Sequence, residues 1–207
     1  MMDDTGPTPA IDDTREQLLA AAHRQFAARG FHGASISLIA GELELTKQAL
    51  LYHFHRKEDL YREVLHRIAQ RMFVTLRNNV APSASTAQRF EDAVLGVYAA
   101  MVDNPLDAKV LMHELLEHQR RDAPEDDWFF KAWIDKHVAL LVEARGDHDR
   151  PNAEAVAQVY MLASAICYYA ASGPVLVRFY GEGEFAAIED AYERELRALV
   201  RRMIAGG

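Results

Sequence analysis

The chain has 207 residues, 50% of them hydrophobic, with a formal net charge of −8 at pH 7 and a single cysteine, Cys167. This length and apolar content suit two small domains, and one cysteine excludes an internal disulfide framework. Residues 12–81 carry ten Lys and Arg against eight Asp and Glu, whereas residues 82–207 carry thirteen against twenty-one. Because the second part is acidic, strong binding to nucleic acid of any sequence is not expected.

The first eleven residues mix Asp, Thr, Gly and Pro without apolar periodicity, which predicts a disordered tail at 1–11. They lack the basic region and apolar run of a secretory signal, so the expected compartment is the cytoplasm. The longest apolar run, 159–171, is too short to cross a bilayer comfortably, and no membrane span is expected.

A first helix is predicted to begin at Asp12 or Asp13 and to end at Gly30, a common C-terminal stop. Its apolar stripe consists of Leu18, Leu19, Ala22 and Phe26. We expect this helix to brace the two that follow.

The segment from Ser35 to Lys57 is the most informative part of the chain, because it reads as two short helices joined by a tight turn. Ser35 and Thr46 are the predicted helix starts, since each hydroxyl can accept a hydrogen bond from a backbone N–H of the turn that follows. In the second helix Leu50 and Phe54 can face the core, which leaves the other faces to polar side chains. Such a pair of helices is typical of a helix-turn-helix reader of double-stranded DNA.

Ten residues of this segment are candidates for contact with DNA. They are Ser35, Ser37, Thr46, Lys47, Gln48, Ala49, Leu51, Tyr52, His53 and Lys57. Ammonium groups suit phosphate oxygens, so we expect Lys47 and Lys57 mainly at the DNA backbone. Amide and hydroxyl groups can read base edges, which assigns that role to Gln48 and Ser37.

The rest of the chain also shows helical periodicity. A long helix is predicted from Lys57 to Val80, because its apolar residues step by one, three or four positions. Further helices are predicted at 87–103, 106–120, 126–145, 152–172 and 184–204. Gly173 and Pro174 are expected to end the fourth of these, and no strand-like alternation is evident. The predicted fold class is all-α, with about nine helices.

Two domains follow from this pattern. A three-helix DNA-binding head is predicted at 12–57, and a larger helical body at 58–207, with 58–80 as the connecting helix.

These features resemble the amino-terminal domain of the tetracycline-repressor (TetR) family of bacterial regulators. The resemblance covers roughly residues 12–65, and its motifs are Arg29-Gly30-Phe31, Ser35, Ile39-Ala40, Thr46-Lys47, His53-Phe54 and Lys57-Glu58-Asp59-Leu60. Glu44 departs from the family pattern, because it replaces a turn glycine where a left-handed conformation would cost about 1 kcal/mol or more. Leu51 departs too, since the family usually has a phosphate-binding tyrosine there. The resemblance implies a homodimer on an inverted-repeat operator.

The last two predicted helices suggest where such a dimer would form. The helix at 152–172 is apolar nearly all round and rich in alanine, which permits close approach of a neighbour. The final helix has one apolar stripe, formed by Phe185, Ile188, Tyr192, Leu196, Leu199 and Met203. In the TetR family a similar pair forms the interface, and Ala163 would then be central to it. The alternative is two ordinary core helices of a monomer.

The same resemblance raises the prospect of a small-molecule effector in the body. The candidates for lining its pocket are Met72, Phe73, Leu76, Tyr98, Met101, Met112, His113, Trp133, His137, Cys167 and Tyr168. For any one of them an ordinary place in the hydrophobic core is the competing interpretation.

Catalytic and metal sites are poorly supported. The run from His113 to His118 approaches a zinc-protease motif, but the second histidine stands one position late, which rotates it about 100° around the helix. Glu63 and His66 make one ExxH pair, whereas a di-iron bundle needs two. Neither a cofactor nor a metal is therefore expected.

The sequence favours a DNA-binding regulator that responds to a ligand, most often a repressor in families of this kind. An activator or a DNA binder without an effector is the first alternative, and a helical enzyme is a remote one.

Overall fold

The computed structural model describes residues 11–78, 84–117, 129–146 and 152–206, without the side chains of residues 11, 12, 75–78 and 152. Within these ranges the chain forms nine helices and no strand, which confirms the all-α prediction. The helices are α1 (Ile11–Gly33), α2 (Ile36–Gly41), α3 (Lys47–His53), α4 (Lys57–Asn78), α5 (Thr86–Asp103), α6 (Pro105–Glu117), α7 (Phe129–Arg145), α8 (Asn152–Tyr180) and α9 (Glu182–Ala205). The predicted tail falls almost entirely outside the described residues.

The chain divides into two compact units, one extending to Arg67 and the other beginning at Ile68. Helix α4 contributes residues to both. The functional division into a head at 12–57 and a body at 58–207 stays a prediction.

The first unit contains α1, α2, α3 and the start of α4. Gly30 interrupts α1 with φ 67° and ψ −178°, so the break predicted at this glycine is confirmed. A side chain with a Cβ rarely adopts this backbone conformation. Beyond the break, Phe31 meets the buried ring of Tyr61 edge-on at 5.1 Å between ring centroids, and Phe26 meets the same ring at 4.7 Å. These aromatic contacts join the end of α1 to α4.

The second unit is a helical bundle in which α5 packs against α6, α7, α8 and α9, and α8 packs against α6, α7 and α9. Its centre is apolar, and two buried carboxylates are held by arginines. Glu91 accepts hydrogen bonds from Arg197 and Arg201 at 2.9 Å. Asp107 accepts two from Arg71, each of 2.7 Å. Paired in this way, both charges are compatible with burial.

The helix predicted at 152–172 was expected to end at residues 173–174. This prediction is wrong, since α8 continues through Pro174 to Tyr180. Proline removes one hydrogen bond, the one that residue 174 would donate to the carbonyl of Ala170, but leaves the later ones possible. Pro174 is also exposed, so its ring does not have to fit into the core. The actual stop is Gly181, which has φ 82° and donates to the carbonyl of Val177 at 2.8 Å.

Helix α8 has 29 residues and carries apolar side chains on more than one face. Among the described helices, its segment Ala153–Tyr180 is long and apolar enough to cross a membrane, judged by length and composition alone. One face packs into the bundle, and a second face exposes Met161, Tyr168, Val175 and Phe179. The apolar character of α8 thus has two sources, the core and an exposed stripe.

Candidate nucleic-acid interface

The two helices of the predicted DNA-reading unit begin at the predicted caps. Ser35 Oγ accepts a hydrogen bond from the backbone N–H of Leu38 at 3.2 Å, and Thr46 Oγ1 accepts one from Ala49 at 3.1 Å. Each cap satisfies a donor that a helix start leaves unpaired. The predicted starts of α2 and α3 are therefore confirmed.

The turn between α2 and α3 has a left-handed residue, as the resemblance predicted. Glu44 has φ 56° and is the one described residue other than glycine with positive φ. The N–H of Leu45 donates to the carbonyl of Ala40 at 3.0 Å, and that of Glu44 donates to Gly41 at 3.2 Å. This pair of bonds is a Schellman motif, which usually places glycine where Glu44 stands. Glu44 thus takes the turn conformation at an energetic cost.

A polar cluster that the sequence did not reveal holds the same turn. Glu42 accepts two hydrogen bonds from Arg24, at 3.2 and 3.0 Å, and a third from Gln25, both on α1. Gln25 in turn accepts from Arg29 at 3.1 Å. Because the partners are about 18 positions apart in the chain, helical periodicity carried no signal for this contact. The cluster fixes the turn relative to α1.

The side chains of α3 separate into an inner and an outer face. Leu50 is completely buried, and the same is nearly true of Phe54 just after the helix. Lys47, Gln48 and Tyr52 are exposed, and Tyr52 keeps 74% of its surface accessible. Gln48 and Tyr52 stand four residues apart, so they share one face of the helix. This outer face offers an ammonium, an amide and a phenol to a ligand outside the unit.

The other candidates differ in accessibility. Ser37 and Thr46 are exposed at the starts of α2 and α3. The candidates that are half-buried are Ser35, Ala49, Leu51, His53 and Lys57. Leu51 has no hydrogen-bond donor in its side chain, so it can offer DNA only apolar contact.

Lys57 is tied to its own unit. Its Nζ donates to the carbonyl of Ala34 at 2.9 Å and lies 4.3 Å from the centre of the Phe31 ring. An ammonium has three donors and can also interact with an aromatic face, so both contacts are favourable. Lys57 therefore joins the start of α4 to the link between α1 and α2, a role that its place in a motif did not reveal.

The effector candidates in the second unit fall into groups. Six are buried: Met72, Tyr98, Met101, Trp133, His137 and Cys167. Phe73, Met112 and His113 are half-buried, whereas Tyr168 is 67% exposed. The side chain of Leu76 lies outside the described residues. Burial raises the pKa of the Cys167 thiol to about 12, so this group is protonated and behaves as a small apolar side chain.

Three tyrosines from different helices stack on one another. Sequence analysis named Tyr98 as a pocket candidate and Tyr192 as part of an apolar stripe, but it did not name Tyr169. The rings of Tyr169 and Tyr192 are 3.8 Å apart, and those of Tyr98 and Tyr192 are 5.6 Å apart. The Tyr169 hydroxyl is buried. Because α5, α8 and α9 each supply one ring, only the tertiary fold could reveal this cluster.

Possible metal ligands are scattered in the described part of the chain. No three His, Cys, Asp or Glu side chains come together there as ligands. His113 Nδ1 lies 3.6 Å from Glu117 Oε1, a pairing of neighbours on one helix turn.

Two capped helices, a tight turn and an exposed polar face define a protein of the helix-turn-helix class. Residues 18–64 match the family model described as bacterial regulatory proteins, tetR family. The match lies inside the segment at 12–65 whose motifs carry the resemblance, and it confirms that resemblance.

Relatives and a solved structure agree with this placement. The HTH-type transcriptional activator FasR of Mycolicibacterium smegmatis is 35% identical over 83 residues, which make up 40% of this chain and 38% of that protein. The HTH-type transcriptional regulator RutR of Escherichia coli strain K12 is 35% identical over 135 residues, 64% of this chain and 62% of that one. The chain thus spans less than two thirds of either relative. A TetR-like transcriptional regulator from Rhodococcus sp. RHA1 has the same fold, with a TM-score of 0.72, 21% identity, and coverage of 97% of this chain and 100% of that one.

Proposed function

We propose that this protein is a transcriptional regulator that binds a specific inverted-repeat operator through α3. The observation that carries the proposal is the outer face of this helix, where Lys47, Gln48 and Tyr52 are exposed opposite the buried Leu50. A helix held by a cap at its start and by its apolar face can enter the major groove without rearranging its own unit. A DNA-binding regulator acts on the chromosome, so we assign the protein to the cytoplasm.

The groups on this face suit different parts of the duplex. Lys47 supplies a point charge for a phosphate, and Gln48 supplies a donor and an acceptor that match an adenine edge. Tyr52 and Ser37 supply hydroxyls for phosphates or bases. The Nζ of Lys57 donates to the carbonyl of Ala34, and we propose that it supports the unit and lies close to a phosphate of the DNA backbone.

The DNA contacts can be tested on full-length protein with an operator selected from random duplexes. Gln48→Ala should weaken binding to the operator about 5-fold to 150-fold, because one bidentate base contact is worth about 1–3 kcal/mol. Gln70→Ala, an exposed glutamine on α4 in the second unit, is the matched control and should bind like the wild type. Equal binding by both variants would show that Gln48 does not contact the operator.

Homodimer formation is the second part of the proposal, and the exposed stripe of α8 supports it. Met161, Tyr168 and Val175 recur every seven residues, and Phe179 continues the stripe with 70% exposure. A continuous apolar stripe of this length is typical of a surface that another chain covers. A twofold partner would also explain how two heads read an inverted repeat.

The dimer has to be tested at an exposed residue of α8 rather than at Ala163. Ala163 is only 4% exposed and faces the core of its own unit, so an arginine there would disrupt the protomer itself. Tyr168→Arg instead adds a charge to the exposed stripe and should give a folded monomer in sedimentation, with weaker operator binding. Ala132→Arg, at an exposed position of α7, is the control and should stay dimeric. A wild-type protein that sediments as a monomer, or binds lipid vesicles through this stripe, would contradict the proposal.

Release from DNA by a small molecule is the third part. Helix α4 has residues in both units, so a ligand that shifts the second half of α4 can alter the first half, which belongs to the DNA-binding unit. The ligand must prefer the arrangement that does not bind DNA, and a coupling of about 1–3 kcal/mol weakens operator binding about 5-fold to 150-fold. Operator DNA must weaken ligand binding by the same factor.

The sign of regulation is open to a direct test. We propose repression, while the name of the relative FasR favours activation as the second candidate. Transcription in vitro from a promoter that carries the selected operator separates the two. A repressor lowers the transcript level, and a ligand identified by mass spectrometry of the purified protein restores it, whereas an activator raises the level.

A further inference from the structure

A buried histidine and a buried tryptophan on α7 lie side by side with unused hydrogen-bonding capacity. His137 is 1% exposed and Trp133 is 3% exposed, and their ring centroids are 3.9 Å apart. Neither His137 Nε2 nor Trp133 Nε1 has a hydrogen-bond partner among the described residues. Most buried polar atoms in folded proteins have such a partner, so two neighbouring exceptions call for an explanation.

The chemical state of His137 follows from its one hydrogen bond. Its Nδ1 lies 2.9 Å from the backbone carbonyl of Trp133. A carbonyl oxygen only accepts, so Nδ1 must carry the proton that is donated. Burial lowers the pKa of His137 to about 4, so the ring is neutral at physiological pH and Nε2 holds a lone pair. The unused atom of His137 is therefore an acceptor.

Trp133 supplies the opposite group. An indole Nε1–H can only donate. The pair thus presents one acceptor and one donor from adjacent rings. A hydroxyl group has both complementary capacities, because it can donate its hydrogen to His137 and accept from Trp133.

The other buried residues of α7 are apolar. The ring of Phe130 stacks on Trp133 at 5.8 Å, and the other buried side chains of α7 are aliphatic. These aliphatic side chains are Ile134, Val138 and Leu141. A carboxylate placed against the buried ring of His137 would meet a neutral imidazole, and a buried charge without a partner is costly.

We infer that the effector is an uncharged, mainly apolar molecule with a hydroxyl group, which hydrogen-bonds to His137 Nε2 and Trp133 Nε1. This inference rests on the proposed effector-responsive function. It names the chemical class of the ligand and the two side chains that orient it.

Three probes of similar size separate the effects of hydrogen-bond donation, hydrogen-bond acceptance and charge on binding. Octan-1-ol can donate and accept, its isomer 1-methoxyheptane can only accept, and octanoate is charged. Calorimetry on the full chain should show octan-1-ol binding about tenfold more tightly than either of the others. His137→Phe should bring octan-1-ol down to the affinity of the ether and leave the ether unchanged. Trp133→Phe should weaken both, and His66→Phe, at an exposed position, should change neither.

Several results would overturn the inference. These are no binding of octan-1-ol to the wild type, equal binding of alcohol and ether, tighter binding of octanoate, or no effect of His137→Phe. The last result would indicate that a buried water occupies the two groups. If His137→Phe does not fold, nitrogen NMR of the wild type replaces it: octan-1-ol must shift the Nε2 resonance of His137, and an unchanged resonance overturns the inference.

The two proposals fail separately. If the wild type binds its operator but not octan-1-ol, the ligand class is wrong and the DNA-binding function stands. If octan-1-ol binds as described but no operator can be selected, the proposed regulatory function is wrong and the site remains a ligand site.

Discussion

Replacing Glu44 with glycine should stabilise the turn that positions α3. Glu44 adopts φ 56° in a Schellman motif, and its side chain is exposed with no hydrogen bond to compensate the strain among the described contacts. The left-handed conformation costs a residue with a Cβ about 1–2 kcal/mol. Glycine loses about 0.5–1 kcal/mol more chain entropy on folding. The net gain should be about 1 kcal/mol, or about a fivefold change in a local opening equilibrium.

Hydrogen exchange of the full-length protein measures this gain locally. The amides of Leu45, Ala49 and Leu50 are hydrogen-bonded across the turn and the start of α3, so they report its opening. In Glu44→Gly they should exchange about fivefold more slowly. Glu44→Ala removes the same charge but keeps the Cβ, so its exchange should match the wild type. Equal slowing in both variants would assign the effect to charge, and faster exchange in Glu44→Gly would refute the strain argument.

Two further predictions concern stability, each measured by urea unfolding followed by circular dichroism. Gly30→Ala should destabilise the protein by about 2 kcal/mol, because the backbone at Gly30, with φ 67° and ψ −178°, excludes a Cβ. The control Gly41→Ala should be neutral or stabilising, since an added Cβ there meets no heavy atom within 4 Å. Similar losses of stability in both variants would contradict this reasoning. Arg201 and Arg197 hold the pKa of Glu91 below its ordinary value of 4.5, so the wild type should lose stability as the pH falls below about 4.5. Glu91→Gln should be less stable at pH 7 and show a flatter acid limb, and parallel pH profiles would show that Glu91 does not contribute to acid unfolding.

The DNA-binding unit was predictable from the sequence because its turns and helix starts depend on neighbouring residues. Ser35 and Thr46 accept the hydrogen bonds that their residue types and positions suggested. Gly30 and Glu44 adopt positive φ where a helix stop and a tight turn were predicted. Each of these features depends on residues within about five positions, so a linear pattern contains the information.

Features that depend on distant residues were not predictable in this way. Helix α8 passes Pro174 because continued helix after the proline outweighs one missing hydrogen bond. Ala163 faces the core rather than the exposed stripe, and a helix that is apolar nearly all round gives no periodicity to distinguish the two faces. The amine of Lys57 is committed to a carbonyl 23 positions earlier in the chain. Which side chains contact DNA and which contact an effector stays a prediction.

The most direct test of the central claim is the free-energy penalty that each single-base substitution in the selected operator causes, measured for the wild type and for Gln48→Ala. If α3 reads the major groove through Gln48, the penalties of the two proteins should differ by about 1–3 kcal/mol at one base position in each half-site and agree at the others. The half-sites should be inverted and have centres about 10–10.5 base pairs apart, or a multiple of this. Equal penalties in the two proteins at every base position, or the absence of any preferred sequence for the wild type, would contradict the account.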